Sequence, residues 1–290
     1  MFNKQYSWFL AGIIFAIFWA SASTATKIGL MVAQPMVIAT MRFALAAAIM
    51  LFISHVIQKN SLPKGKEWIQ IGVYGALNIS IYLGLYIVAM QEVTAGIGAL
   101  SVAINPVLIS FFSVFFLNKK LTAKLILALC VCTFGVICAA WPLFTTAKVT
   151  TWGLSLLFVS MLSYALAAIY FSAKKWGGLN LLTINGWQTF MGGVLLWPFV
   201  FYFYDGSLNN YNLTFWGSVV WLAVPVSIGA VQLWLWLLKT NAVRAGLWLF
   251  LCPLFGFMIA AILANETISS YTFGGVILVL LGLFFAKKSN

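Results

Sequence analysis

Long apolar runs separated by short polar clusters set the pattern of this chain. Runs of about 20 residues are long enough for a helix to cross the hydrocarbon core of a bilayer. The pattern predicts ten helices, near residues 7–30, 36–57, 68–90, 95–117, 122–141, 151–173, 180–204, 213–238, 243–263 and 268–286. The breaks carry turn and charge signals: Gln34-Pro35, the Lys59–Lys66 stretch, Asn118-Lys119-Lys120, Lys174-Lys175-Trp176-Gly177-Gly178, Asp205-Gly206 and Asn265-Glu266. The connections near Glu92 and Arg244 are short. Trp8, Trp68, Trp141, Trp152, Trp176 and Trp216 lie near helix ends, as an interfacial aromatic belt requires.

Composition sharpens this picture. Of 290 residues 63% are hydrophobic and 7% charged, with a mean hydropathy of +1.04. Too few polar side chains remain to coat a water-facing surface, which excludes a soluble enzyme, a nucleic-acid-binding domain and a disordered chain. Ten spans use about 200 residues, leaving no room for a separate soluble domain. Cys130, Cys132, Cys138 and Cys252 sit inside apolar runs and read as small buried hydrophobes, without disulfide or metal spacing. No cofactor is implied.

The net charge of +12 is sided rather than diffuse. Thirteen basic residues fall on one side of the predicted spans: Lys4, Lys59, Lys64, Lys66, Lys119, Lys120, Lys124, Lys174, Lys175, Lys239, Arg244, Lys287 and Lys288. Only Lys27 and Lys148 fall on the other, and Arg42 lies within a helix. The positive-inside rule then puts both termini in the cytoplasm of a plasma (bacterial inner) membrane. Leu10–Trp19 followed by Ala20-Ser21-Ala22-Ser23-Thr24-Ala25 imitates a signal peptide, but removing it leaves nine spans and spoils an internal repeat.

That repeat emerges on shifting the chain by about 147 residues. Pro106 falls on Pro253, Asn118 on Asn265, Gly135 on Gly282 and Trp68 on Phe215. Lys119 falls on Glu266 and Glu92 on Lys239, exchanges of sign expected if the halves have opposite orientations. The expected fold is all-α: a polytopic membrane protein of ten transmembrane helices in two inverted five-helix repeats, residues 1–145 and 146–290. Such an architecture suits alternating access, with a substrate site near the midplane between the halves. Pro106 and Pro253, midway along helices 4 and 9, are the candidate hinges, because proline removes a helical hydrogen bond. Pro225 in helix 8 is a further kink.

Trp19 followed by small residues, Lys27, Pro35, Arg42-Phe43, Asn105-Pro106, Pro253 and the polar turns Asn118-Lys119-Lys120 and Asn265-Glu266-Thr267 together resemble EamA-type members of the drug/metabolite transporter superfamily. The resemblance spans essentially the whole chain. Its first turn departs from the common Gly-Glu pair, having Asn118-Lys119. It implies a five-plus-five helix fold, cytoplasmic termini and transport of a small metabolite, often export. The family's substrates are diverse, so it names none for this chain.

Charged groups within spans are costly and usually functional. Arg42 lies about 9 Å into helix 2 from its outer end, and Lys27 ends helix 1. The two are expected to form a cationic patch that pairs with a carboxylate or phosphate, unless Lys27 snorkels and Arg42 only locks helices together. Helix 3 spaces Tyr74, Asn78, Tyr82 and Tyr86 by four, and Asn78 and Tyr82 lie near the midplane. Helix 4 adds Ser101 and Asn105, helix 7 adds Asn185, Gln188 and Thr189, and helix 8 adds Gln232; inter-helix bonding is the alternative for each. Trp187, Trp221, Trp234 and Trp236 are deep, and Trp19 and Trp248 are the expected pocket walls, suited to amphipathic or aromatic solutes. The expected pathway set is therefore Trp19, Lys27, Arg42, Asn78, Tyr82, Asn105, Gln188, Gln232 and Trp248.

Glu67, Glu92, Asp205 and Glu266 all lie at helix ends, and His55 is near one. No buried carboxylate offers a proton relay, and no P-loop is present, so facilitated diffusion or exchange is expected. The reading is a secondary transporter of a small, amino-acid-like or other organic solute. The partners are that solute and the lipid bilayer, not nucleic acid. A flippase for lipid-linked intermediates of related fold is the runner-up. A membrane-embedded enzyme needs a cluster of acids or histidines that this chain lacks, and an assembly role is residual. Helices 5 and 10 are almost wholly apolar and are expected to be peripheral. Gly275 and Gly282 allow another helix to approach there, so a homodimer through these helices is compatible with the pattern.

Overall fold

The computed structural model describes residues 4–141, 150–264 and 270–287. The Asn265-Glu266-Thr267 turn and Lys148 lie outside them. The helices are α1 (Lys4–Leu30), α2 (Pro35–Ile57), α3 (Lys66–Glu92), α4 (Ala95–Phe116), α5 (Ala123–Ala140) and α6 (Thr151–Ala173). They continue with α7 (Leu181–Val194, extended by Trp197–Phe203), α8 (Leu213–Thr240), α9 (Ala242–Leu247 and Leu251–Ala264 about a tight turn) and α10 (Ser270–Lys287). Among the described residues, seven are long and apolar enough to cross a membrane: those beginning at Tyr6, Pro35, Lys66, Ala95, Thr151, Leu213 and Ala242. Short connections alternate their direction. The end carrying the 31–34, 93–94 and 204–212 connections is called upper, and that carrying 58–65, 117–122 and 174–180 lower.

Side-chain caps start many of these helices. Thr94, Thr122, Thr150, Asn180, Asn212 and Asn241 each accept a bond from a first-turn backbone N–H, satisfying donors that the helix leaves free. Asn118 ends α4 in the left-handed region (φ 51°), a conformation asparagine tolerates better than most residues.

The predicted helix 7 is not continuous. Proline at position 198 has no N–H to donate, so the helix breaks at Leu195-Leu196 and restarts as the short Trp197–Phe203 segment. The following loop folds back over the α1–α2 turn. Gln34 donates through Nε2 to the Phe203 carbonyl at 2.8 Å, and its Oε1 accepts from Asp205 N and Asn209 Nδ2 at 2.8 and 2.9 Å.

Several helices change their winding within the bundle. Wider π-type turns run over Ala76–Leu83 in α3 and Leu222–Ala230 in α8, the latter containing Pro225. Tighter 3-10 turns occupy Val102–Ile104 in α4 and Trp248–Phe250 in α9, just ahead of Pro106 and Pro253. In α3 the wider turn has a packing consequence. Residues four apart drift around a regular α-helix, but a π turn takes in an extra residue and reverses that drift. Tyr74, Asn78, Tyr82 and Tyr86 consequently all stay buried.

The core interleaves the chain. α1 packs on α8 and α9, α6 on α3 and α4, and α2 on α7. Glycines permit the closest approaches. A methyl group on Gly75 would meet the Gly192 N at 3.2 Å, so α3 and α7 touch backbone to backbone. Where α4 crosses α9, a methyl on Gly256 would meet Ala99 Cβ at 2.8 Å, and one on Gly246 would meet Ile109 Cδ1 at 3.5 Å. The two 3-10 turns lie against each other at this crossing.

α5 and α10 pack chiefly on each other. A methyl on Gly135 would meet Leu278 Cβ at 2.8 Å and the Gly275 carbonyl at 2.9 Å, and one on Gly282 would meet the Ala128 carbonyl at 3.0 Å. The Cys132 thiol donates to the Val279 carbonyl at 3.5 Å. The helix that Gly275 and Gly282 admit is α5 of the same chain. Small side chains on α5 fill the seam first.

Candidate functional site

A cavity of about 20 Å³ lies in the upper half of the bundle, room for about one water molecule. Trp19 and Ala22 of α1, Arg42 of α2, and Tyr82, Leu83 and Tyr86 of α3 surround it. Val102 of the α4 3-10 turn and Val226 of the α8 π-type stretch complete the wall.

Arg42 is the charged group of this wall and is only 4% exposed. Its Nε donates to Ser227 Oγ at 2.8 Å, and its guanidinium carbon stands 5.3 Å from the Phe43 ring centroid. Its Nη2 is buried without a partner among the described residues. No acid lines the cavity. Glu67, Glu92 and Asp205 are occupied at helix ends: Glu67 accepts from Lys64 N, Glu92 from Thr150 Oγ1, and Asp205 from the backbone and hydroxyl of Ser207. The Ser207 donors hold the Asp205 carboxyl below its ordinary pKa.

Behind Arg42 runs a continuous hydrogen-bonded chain. The Ser227 carbonyl accepts from Asn185 Nδ2 at 3.0 Å, and Asn185 Oδ1 accepts from Gln188 Nε2 at 3.0 Å. Gln188 Oε1 accepts from Asn78 Nδ2 at 3.1 Å. The chain ties α2, α8, α7 and α3 together, and the Gly75–Gly192 contact brings α3 and α7 near enough to close it. Asn78 and Gln188 therefore pair with each other behind the cavity rather than lining it.

Toward the lower end the cavity is floored by aromatic rings. Trp19 stacks beside Tyr82 at 6.4 Å, and Tyr82 meets Tyr164 at 4.7 Å. Phe15 stacks on Trp234 at 5.0 Å, and Trp234 on Tyr164 at 5.5 Å. These five rings form a continuous aromatic layer beneath the cavity.

Lys27 does not join Arg42. It lines a separate, wider recess of about 280 Å³ with Leu30, Met31, Met90 and Gln91. The separation follows from helix geometry: Lys27 stands eight residues beyond Trp19, about 12 Å along α1. The expected joint cationic patch is therefore two stations, one above the other between α1 and α3.

The remaining expected residues sit elsewhere. Asn105 is fully buried and donates through Nδ2 to Met161 Sδ at 3.0 Å, leaving its Oδ1 without a partner. Gln232 is half-buried with its Oε1 likewise unpartnered. Trp248 packs with Trp8 (5.3 Å) and Phe9 (5.2 Å) over Gly12, away from the cavity. Pro106 and Pro253 are buried where α4 and α9 cross. Sequence reasoning missed Ser227 and Tyr164, and it noted Tyr86 only as part of a stripe. The signal for Ser227 was its place two residues after Pro225, in a helix whose winding changes. Among the described residues no three His, Cys, Asp or Glu side chains gather to hold a metal.

A model described as the EamA-like transporter family matches residues 6–141 and 151–287. An uncharacterized transporter of Archaeoglobus fulgidus is 26% identical over 94% of this chain and 96% of its own length. Protein PecM of Dickeya dadantii is 26% identical over 93% of this chain and 88% of its own. The uncharacterized transporter YoaV of Bacillus subtilis is 23% identical over 95% of each. A crystal structure superposes with a TM-score of 0.78 over 97% of this chain and 96% of its own, at 14% identity, a likeness of fold alone.

Proposed function

The chain belongs to the EamA-like transporter family, and from that premise we propose that it carries a small organic solute across the plasma (bacterial inner) membrane by alternating access between two inverted five-helix repeats. Both termini lie in the cytoplasm, so the upper end faces outward. The thirteen-to-two division of basic residues supports that orientation. Transport is by export or exchange, and the chain acts as a carrier rather than an enzyme.

The repeat reading is supported by contacts, not only by sequence. Cys132 bonds to Val279, its own counterpart 147 residues on. Adding the same shift turns the Ala99–Gly256 contact into the Gly246–Ile109 contact, and the Gly135–Gly275 contact into the Gly282–Ala128 contact. It also carries the cap Thr94–Ile97 onto Asn241–Arg244, and the wider turn of α3 onto that of α8. Reciprocal pairing of this kind is the signature of a two-fold axis. Two copies of one packing scheme can exchange conformations about such an axis, which is the physical basis of alternating access.

The observation that carries the site is Arg42. A buried cation facing a cavity whose walls come from both halves is a costly feature in a membrane protein, and functional demand is the usual reason for one. Trp19, Tyr82 and Tyr86 give it apolar company, and Lys27 marks the outer approach. Pro106 and Pro253, each beside a 3-10 turn at the α4–α9 crossing, serve as hinges. A homodimer through α5 and α10 uses outward side chains such as Phe134, Ile137, Ile277 and Leu281, since the glycine seam is filled. Uptake by proteoliposomes from a panel of amino acids, sugars and nucleotides tests the reading. At least one solute is expected to enter with the wild type and not with Arg42→Ala, while the variant still folds. Unchanged uptake by Arg42→Ala refutes the site.

A further inference from the structure

We propose that His55 is a proton switch on the lower seam between α2 and α7. With a neutral ring the seam is latched; one proton on Nε2 releases it, so acidity on the lower side favours opening at that end. The latch stands on its own geometry, and only its consequence for transport rests on the reading above.

The chain has a single histidine. It lies in the wider π-type turn Phe52–Ile57 that ends α2. Both ring nitrogens are engaged: Nε2 is 2.9 Å from Trp187 Nε1 on α7, and Nδ1 is 3.0 Å from the Asn60 carbonyl oxygen. An indole N–H can only donate, and a carbonyl oxygen can only accept. The two partners therefore fix the neutral tautomer, with its proton on Nδ1 and a lone pair on Nε2. Both partners are themselves held. Trp187 meets the His55 ring at 6.1 Å and the Trp68 ring of α3 edge-on at 4.7 Å. Asn60 donates through its backbone N to the Ser54 carbonyl at 2.9 Å and through Nδ2 to Ser54 Oγ at 3.1 Å. Ser54 in turn shares a hydrogen bond with Thr183 of α7 at 2.7 Å.

A proton changes one of these bonds and spares the others. It adds to the Nε2 lone pair, so both ring nitrogens become donors. Nδ1 keeps its bond to Asn60. The Nε2 proton then faces the Trp187 N–H, two donors with no acceptor between them, and the bond across the seam is lost. The charged ring gains hydration as the seam parts. Few other charges are near. α7, which packs on this turn, has no ionisable side chain, and α2 otherwise has only Arg42, about 20 Å up the helix. The 58–65 connection has Lys59 and Lys64, and the start of α3 has Lys66 and Glu67. Glu67 accepts from Lys64 N and lies against Gly177. Of these side-chain types, an imidazole alone ordinarily changes charge between about pH 5 and pH 8. In the two-repeat reading α2 and α7 belong to opposite halves, so their lower seam is a place where that end can open.

Because the histidine is single, nitrogen-15 NMR of the imidazole reads the latch directly, in the full-length protein prepared without a histidine tag. Near pH 8 the ring is expected to be neutral, with the proton on Nδ1 and Nε2 accepting. Near pH 5 both nitrogens are expected to be protonated. The Trp187 indole signal, assigned by its loss in Trp187→Phe, is expected to move with them. A proton on Nε2 near pH 8, a ring still neutral near pH 5, or an indole signal that ignores the titration overturns the latch. Opening is read separately, as the distance between spin labels at Val56→Cys and Lys175→Cys, with the four native cysteines replaced by alanine. Loss of one neutral bond is expected to raise the open-to-closed ratio about two- to tenfold from pH 8 to pH 5. His55→Gln, whose amide can accept from Trp187 and donate to Asn60 at either pH, is expected to stay closed and to abolish the shift. Trp187→Phe is expected to abolish it too, with the seam looser at both pH values. No shift in the wild type, or an equal shift in His55→Gln, overturns the switch. If no solute from a broad panel is carried, the transporter reading falls, while the resonance and distance measurements still decide this inference.

Discussion

Arg42 depends on its neighbours for direction as well as for burial. A hydrogen bond to a charged group contributes about 1.5–3 kcal/mol, more than the roughly 0.6 kcal/mol average of neutral inter-helix bonds in membranes. Ser227→Ala removes the acceptor that orients the guanidinium and leaves Nε buried beside a methyl group. The expected result is a raised transport KM, with Ser227→Thr close to wild type. An unchanged KM in Ser227→Ala means the fork is held by something else. Gly98 sets a second constraint. A methyl group there collides with Met90 Sδ and comes within 3.0 Å of the Tyr86 hydroxyl on the cavity wall. Gly98→Ala is expected to slow transport and to cost about 1–3 kcal/mol through overpacking. Shortening the obstacle with Met90→Ala is expected to restore much of the rate, which liposome uptake by the double variant checks.

At the scale of elements, much of the architecture was legible because bilayer-length apolar runs and short polar breaks are strong signals. The starts at Pro35, Ala95, Thr151 and Leu213 fall within a residue of the apolar boundaries. The changes of winding were not legible. A π turn in α3 has no local sequence mark; the four-residue spacing of Tyr74, Asn78, Tyr82 and Tyr86 makes sense as one buried stripe only once that turn is present. The break of α7 was marked by Pro198, but the apolar run continues through it and masks the signal. In the site, Arg42, Trp19 and Tyr82 were found by polarity and spacing. The pairing of Asn78 with Gln188 was not, because it depends on how closely α3 and α7 approach, and that is set by Gly75 and Gly192. Gly192→Val is accordingly expected to lower Tm and abolish transport by forcing these helices apart. Gly274, beside which an added methyl meets nothing within 4 Å, is the control, and Gly274→Ala is expected to be silent in both measurements.

At the scale of the whole molecule, the proposed two-repeat reading places a buried cation between halves related by the 147-residue shift. The α4–α9 crossing is where those halves meet through both 3-10 turns, and its two reciprocal contacts give a direct check on the symmetry. Cysteine pairs at Ala99/Gly256 and at Ile109/Gly246 are expected to cross-link to similar extents with a short bifunctional reagent. Cross-linking either pair is expected to stop transport, since both span the proposed hinge region. Efficient cross-linking of one pair alone indicates that the halves are not related as described.

The central claim, that the Arg42 cavity opens alternately to the two sides, is tested most directly by accessibility at Ala22, a small residue on its wall. The measurement uses Ala22→Cys in a protein whose four native cysteines are replaced by alanine, with a membrane-impermeant thiol reagent added to right-side-out and to inside-out vesicles. The account predicts labelling from both sides. Cross-linking the upper ends of α1 and α3 should abolish labelling from outside while preserving it from within. Labelling from one side only, whatever the solute or cross-link present, would contradict it.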